Sequence, residues 1–529
     1  MPARDFQMPG RSVTIALNGM CATSHPLAAM TAIDILNRGG NAVDAAIAAA
    51  VLLGVCEPQM TGLGGDMFAL VQPGPGRPVA GINASGRAPA ALDAARLREA
   101  GHRTMPEDSP HAVTIPGAVD GFCALAERFG RLGLDALLAP AIRHAEEGVP
   151  VAPRVAFDWA EAAGRLQGDA RRFFLIGGRA PRPGDIFRAP GQAKVLRRIA
   201  RDGRRAFYEG EVAADMLAAL RALGGVHDAA DFAATACDWV EPIAGRYRDR
   251  ELVELPPNGQ GATAILMAGI LERFDLGAMD PMGAGRAHLE AEAAKLAYDA
   301  RNRHIADPTR VAVRLDCMLS DATMDALAAR IAPDRVLPAP QPAGVAPHRD
   351  TVYVTVVDRD RMAVSLIYSI FHSFGSGIAS PRFGINLHNR GAGFVLEKGH
   401  PNEAMGGRRP LHTIIPAMLM RDGALEMPFG VMGGAYQPAG HVRVMSNIVD
   451  YGMDPQQAID AARSFPDSGV LQLERGYAPA VVEALEAIGH RVGVPRMPLG
   501  GAQAIVIDAE RGVLIGASDP RKDGCALGC

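Results

Sequence analysis

Thr351 stands where a nucleophile could be generated by a cut in the chain. The segment before it, LPAPQPAGVAPHRD (residues 337–350), is rich in proline and lacks apolar periodicity, so it reads as an exposed connector. The segment after it, VYVTVV (352–357), is β-branched and extended, the pattern of a buried strand. A cut between Asp350 and Thr351 would leave a threonine with a free α-amino group. Such a group has a pKa of about 8. It can take the proton from the residue's own hydroxyl, directly or through water, so the nucleophile carries its own base. Before the cut, the same hydroxyl can attack the carbonyl of Asp350.

The elements around this threonine can be read from pattern. A strand-like run at 12–17 precedes a helix in PLAAMTAIDILNRGG, where Leu27, Met30, Ile33 and Leu36 recur every third residue and Gly39-Gly40 ends it. A second helix, 45–55, is apolar all round and is expected to be buried on every side. TGLGGDMFALV then turns into a strand. Its glycines permit close backbone approach, but no Gly-Lys-Ser/Thr follows, so no nucleotide loop is expected. Residues 118–345 are mainly helical and alanine-rich, interrupted by the strand-like RELVELPPNGQG. Beyond Thr351 a hairpin is predicted, with 352–357 turning at DRDR into 362–368. LHTIIPAMLM (411–420) predicts another strand. GGAYQPAGHVRVMSNIVDYG predicts a turn into a helix with Val442, Met445, Ile448 and Val449 on one face, and AQAIVIDAERGVLIGASDP a last hairpin. Strands from both halves of the chain with helices around them point to a layered α/β sandwich.

The bulk properties exclude several classes. The 529 residues are 48% hydrophobic and 21% charged, ordinary for a soluble globular protein. A net charge of −4 without runs of like charge offers no footprint for nucleic acid. No stretch reaches the roughly 18–20 apolar residues that span a bilayer. The first residues carry no apolar run of the secretory type, so a cytoplasmic protein is expected. The seven cysteines are scattered and read as free thiols. With no H-E-x-x-H or comparable ligand pattern, neither a metal nor another cofactor is expected.

Several segments occur in an order that resembles the γ-glutamyltransferase family of N-terminal-nucleophile hydrolases over nearly the whole chain. They are GMCATSHPLAAMTAIDILNRGGNAVDAAIAAA, EPQMTGLGGDMFALV, the segment around Thr351, RRPLHTIIPAML, GVMGGAYQPAGH and GASDPRKDG. The resemblance implies a four-layer αββα sandwich with a helical section in the large subunit. It also implies autocatalytic cleavage into a large subunit, 1–350, and a small one, 351–529, that stay together. Thr351 matches the family nucleophile. Ser369 stands where the family has a second threonine whose hydroxyl assists it. Gly433 and Gly434 match the pair whose backbone N–H groups form the oxyanion hole, as donors at a helix start can. Arg87, in ASGRAPAA, matches an arginine that pairs with the substrate α-carboxylate, across a spacing shorter than the family's.

The departures bear on substrate. The family holds a glutamyl group with an Asn, a Gln and an Asp, and those positions are Phe371, Arg390 and Gly393 here. Two serines near the substrate become His412 and Thr413. Gly393 offers no acid to an α-ammonium, and Arg390 brings a cation that asks for a carboxylate. The stretch between Gly393 and Arg408 is much shorter than in transpeptidases with a lid loop, which exposes an acyl-enzyme to water. With HNRGAGF, this pattern is similar to the γ-glutamyltransferase-like amidohydrolases. It implies hydrolysis of a small acidic amide, oxamate-like, by two subunits of one precursor; a homodimer of the processed pair is left open. The alternatives are a γ-glutamyl transpeptidase or glutathione hydrolase, and an inactive relative kept as a binding protein.

Overall fold

The computed structural model describes residues 6–7, 10–338 and 351–529. Asp350 and nearly all of the proline-rich connector lie outside the described residues.

The run VYVTVV is apolar but for Thr355, whose hydroxyl donates to the Val364 carbonyl (3.0 Å), because its strand is buried on both faces. In Val352–Val357, Val352, Val354 and Val356 face a helical layer, while Tyr353 and Val357 face a second sheet. This strand is an interior one, third of seven, in an antiparallel sheet. Its order is Cys525–Gly528, Met20–Thr23, Val352–Val357, Ala363–Ser369, Asp66–Gln72, Ala80–Ala84 and Asp238–Val240. A second seven-stranded sheet runs Thr14–Ala16, Val513–Ser518, Gly501–Asp508, Ala424–Met432, Ala417–Arg421, Arg250–Glu254 and Ile243–Tyr247. Each sheet mixes strands from before and after Thr351. The predicted hairpins at 352–369 and 501–518 form as expected.

Three apolar layers hold the sheets. Between them lie Phe68, Leu70, Tyr353, Ile367, Met418, Met432 and Ile505. Outside the first sheet packs the helix Ala42–Cys56, started by an Asn41–Asp44 capping box and buried along all of its length. Outside the second pack Gly261–Glu272 and Gln437–Val449. The result is helix, sheet, sheet, helix, with a further helical section across residues 118–222. No helix among the described residues is long and apolar enough to cross a membrane.

One predicted strand is much shorter than its pattern. Of residues 411–420 only the end is in the ladder, in Ala417–Arg421. Pro416 has no N–H to give. The N–H groups before it go elsewhere: His412 to the Asn258 carbonyl (2.8 Å), Ile414 to His412 Nδ1 (3.4 Å) and Ile415 to Gln437 Oε1 (2.9 Å). Leaving the ladder is what presents His412 and Thr413 to the site.

Candidate active site

Strand register brings the chemistry together. Val352 pairs with Tyr368, so Thr351 lies beside Ser369 at the end of the hairpin, and their hydroxyls are 3.4 Å apart. Side chains alternate along a strand. Thr351 and Ser369 therefore share the face of Tyr353 and Ile367, between the two sheets. Both are fully buried. Ser369 Oγ also accepts the N–H of Phe371 (2.9 Å). That bond helps hold Phe371 at φ +75°, a left-handed conformation that costs a bulky residue roughly 1–3 kcal/mol.

The second sheet supplies the facing groups. Gly433 and Gly434 follow the strand Ala424–Met432 and open the turn into the helix Gln437–Val449. Tyr353 packs against Gly430 across the sheets, which sets Gly433 at the same end of the sandwich as Thr351. Gly433 has φ +123°, and a Cβ there would lie 2.9 Å from Gly500 Cα. Gln260 ties the pair to its neighbour, donating from Nε2 to the carbonyls of Thr413 (2.7 Å) and Gly434 (2.9 Å) while accepting from Arg301 (2.7 Å).

Arg390 is fully buried, with its guanidinium carbon over the Phe371 ring, 4.4 Å from the centroid. Its Nη1 donates to Thr413 Oγ1 (3.0 Å), and Nη2 has no hydrogen-bond partner among the described residues. Burial pulls this guanidinium down to about 9, with Asp66 resisting. It remains charged at neutral pH.

Asp66 and His388 belong to this buried cluster although the sequence alone did not single them out. Register sets Asp66 opposite Ser369, and its Oδ2 lies 3.5 Å from Arg390 Nε, 3.1 Å from His412 Nε2 and 3.2 Å from His388 Nδ1. Its Oδ1 accepts the N–H groups of Gly86 (3.1 Å) and Gly117 (3.3 Å). Burial alone would raise this carboxyl, but His388 and then His412 outweigh it and hold it well below the usual range. Gly65 makes the placement possible, since a Cβ there would lie 2.5 Å from the Ser369 carbonyl. The cluster around Arg390 therefore contains an acid after all, on a strand that precedes Thr351. The signal was a lone carboxylate opening the otherwise apolar DMFALV, directly after a glycine cluster.

His412 is fully buried, with its ring centroid 4.5 Å from that of Phe68. Burial, and then Arg390, lower it to about 3, so it is neutral. Gly393 packs under the Leu411 carbonyl and brings no side chain. Arg87 is not part of this group. Its guanidinium is one-third exposed and bonds to Asp307 (3.1 Å) and the Gly407 carbonyl (3.2 Å), with Asp238 at 3.6 Å. The shift in spacing explains this: the backbone of Gly86 reaches Asp66, but the next side chain turns away. Residues 394–408 form a pinned turn rather than a lid. Phe394, Leu396 and Ala404 pack on Ala88, Leu92 and Leu97, and Gly406 and Gly407 donate to Leu92 and Ala88.

Among the described residues, one group has metal-like spacing: His288, Glu292 and His490. Its atoms bond to protein partners instead. His288 contacts His490 and the Ala332 carbonyl, and Glu292 accepts from Lys295 and the Leu337 N–H.

A buried threonine between the two sheets of an αββα sandwich, with a glycine pair at the same end, is the arrangement of an amide hydrolase or acyltransferase of the N-terminal-nucleophile class. The chain belongs to the γ-glutamyltranspeptidase family, whose model matches residues 28–529. It is 36% identical to an oxamate amidohydrolase proenzyme of Klebsiella pneumoniae, over 98% of this chain and 99% of that one. It is 34% identical to a glutathione hydrolase-like proenzyme of Bacillus subtilis, over 97% and 99%. A solved cephalosporin acylase from Bacillus halodurans superposes with a TM-score of 0.93 at 38% identity, covering 100% of this chain and 99% of that one.

Proposed function

We propose that this protein is a self-processing amidohydrolase in which Thr351 attacks a small amide whose acyl side bears a carboxylate, with oxamate as the leading substrate. Processing between Asp350 and Thr351 would give subunits 1–350 and 351–529. Thr351 Oγ1 then attacks the amide carbonyl while its proton passes to the α-amino nitrogen. The N–H groups of Gly433 and Gly434 take the oxyanion. The C–N bond breaks as the ammonium returns its proton to the leaving nitrogen, and ammonia departs. Water attacks the resulting ester, and Thr351 recovers its hydroxyl as the acid leaves. The pinned turn at 394–408 leaves that ester without a long lid, which favours water over an acceptor amine.

The observation that carries the substrate reading is Arg390 Nη2, a buried cationic donor without a hydrogen-bond partner among the described residues. A buried guanidinium wants a carboxylate, held with two parallel bonds. Asp66 does not turn the pocket into a glutamyl site. Its oxygens already accept two backbone N–H groups and face His388, His412 and Arg390, so it has little left for an α-ammonium. The kinship to an oxamate amidohydrolase supports the same reading.

The test is a panel of oxamate, glutathione, a γ-glutamyl anilide and a cephalosporin-type acyl amide on the processed enzyme. Oxamate should show the highest kcat/KM. Glutathione turned over far more efficiently than any acidic amide lacking an ammonium would overturn the assignment in favour of a glutathione hydrolase.

A further inference from the structure

We propose that Phe371, held in place by His372 and Asn389, is the stop that limits the acyl chain, so that the site takes the monoamide of a two-carbon diacid and turns away its longer homologues. The inference deepens the reading of Thr351 as nucleophile and Arg390 as carboxylate anchor, and it rests on that reading.

Phe371 is the residue that joins those two groups. Its N–H donates to Ser369 Oγ (2.9 Å), which lies 3.4 Å from Thr351 Oγ1. Its ring meets the Arg390 guanidinium 4.4 Å from the centroid. An acyl group attacked by Thr351 and anchored by Arg390 would therefore lie along Phe371. The surroundings leave little slack. Phe371, Arg390, His412, Thr413 and Asp66 are all fully buried. Protein interiors are packed about as densely as organic crystals, so each added methylene has to displace a side chain.

The ring is also clamped. Its backbone is set at φ +75°. The His372 ring stacks on it, with centroids 4.7 Å and planes 23° apart. Asn389 holds His372 at two points: Oδ1 accepts the His372 N–H (3.1 Å), and Nδ2 lies 3.0 Å from His372 Nδ1. Asn389 is fixed in turn, with its N–H on the Ile370 carbonyl (3.4 Å) and Nδ2 on the Glu107 carbonyl (3.2 Å). Both neighbours of Phe371 are thus tied to Asn389, the residue just before Arg390. Stop and anchor form one unit, and their spacing is set by these bonds. Beyond His372 stands Glu107, whose Oε2 lies 3.2 Å from His372 Nδ1. That contact holds the Glu107 carboxyl below its usual range. A longer acid that slipped past the ring would bring its carboxylate toward this anion. A two-carbon acyl group carries its carboxylate on the reacting carbonyl and meets neither obstacle.

Oxamate, malonamate and succinamate are the monoamides of the two-, three- and four-carbon diacids, and the processed enzyme is assayed on all three. Wild-type kcat/KM should fall by about 10–200-fold with each added methylene. Phe371→Gly removes the ring at a backbone conformation that glycine adopts freely. It should raise the ratio of succinamate to oxamate kcat/KM by about tenfold or more. Phe371→Leu should shift the ratio the same way by less, and it decides the matter if the glycine variant does not fold. Asn389→Ala leaves Phe371 intact but frees His372, and it should raise the ratio too. A merely structural role for Asn389 would lower all three substrates alike. Wild-type enzyme that hydrolyses succinamate as well as oxamate overturns the inference. So does a ratio unchanged in the Phe371 variants, and a ratio unchanged in Asn389→Ala overturns the clamp. Wild-type enzyme that hydrolyses none of the three would instead remove the substrate reading beneath it.

Discussion

Ser369 touches both Thr351, the proposed nucleophile, and Phe371, whose ring packs against Arg390. Its oxygen lies 3.4 Å from Thr351 Oγ1 and accepts the Phe371 N–H. In the proposed reaction one hydroxyl would orient the attacking oxygen and help fix the backbone that sets Phe371 against Arg390. A hydrogen bond of this kind is worth about 0.5–1.5 kcal/mol net. Ser369→Ala should slow both chain cleavage and turnover by about tenfold, whereas Ser369→Thr, which restores the family's residue type, should retain both. Time courses of the two fragments and kcat on oxamate measure this. An alanine variant with unchanged cleavage and turnover would show that the contact is incidental. At this scale the sequence was legible only where type and neighbours agreed. Thr351, Ser369 and the glycine pair stand in distinctive segments. Asp66 was not visible because its partners, His388, Arg390 and His412, come from the other side of the connector, and a single acid at a strand start looks like an ordinary strand end. Arg87 illustrates the converse, a motif match whose side chain turns to Asp307 instead.

At the scale of elements, periodicity found the elements better than their buried faces or their ends: in the helix Pro26–Asn37 the buried face is Ala28, Ala29, Thr31, Ala32 and Ile35, while Met30 of the apolar three-residue repeat is exposed. The helix Ala42–Cys56 and the hairpin 352–369 stand as their apolar patterns predicted. The strand predicted for 411–420 lost its first half because its N–H groups bind Asn258, His412 and Gln437. The bonds to Asn258 and Gln437 join distant segments, which no local pattern can carry. The turn at Gly433 belongs to the same category: its φ of +123° and its contact with Gly500 exclude a side chain on two separate grounds. Gly433→Val should push the turn off Gly500 and move the N–H groups away from the oxyanion. Losing one such donor costs about 100–1,000-fold in kcat. Circular dichroism should be unchanged and KM nearly so. A folded variant with wild-type turnover would reduce the glycine pair to a plain turn.

At the scale of the whole molecule, the cut at Thr351 would divide the covalent chain without dividing the fold. The strand Val352–Val357 lies inside its sheet, between Met20–Thr23 from the proposed large subunit and Ala363–Ser369 from the small one. Met20–Thr23 is itself flanked by the last strand, Cys525–Gly528. The other sheet interleaves the two pieces as well, with Ala417–Arg421 paired to Arg250–Glu254 and Thr14–Ala16 to Val513–Ser518. Ala363–Ser369 pairs in turn with Asp66–Gln72 of the proposed large subunit, so separating the fragments would break five strand interfaces and expose the apolar layer between the sheets. That opposes dissociation far more strongly than a surface contact between docked domains would. Purified protein should therefore convert, without added protease, into fragments whose masses fit 1–350 and 351–529, and Thr351→Ala should stay a single chain. The two fragments should run as one species on size exclusion at the volume of the uncut chain, and part only in denaturant. Wild-type protein that remains full length after prolonged incubation at neutral pH would refute the processing step. Fragments that separate under native conditions would instead refute the claim that shared sheets, rather than the connector, hold the enzyme together.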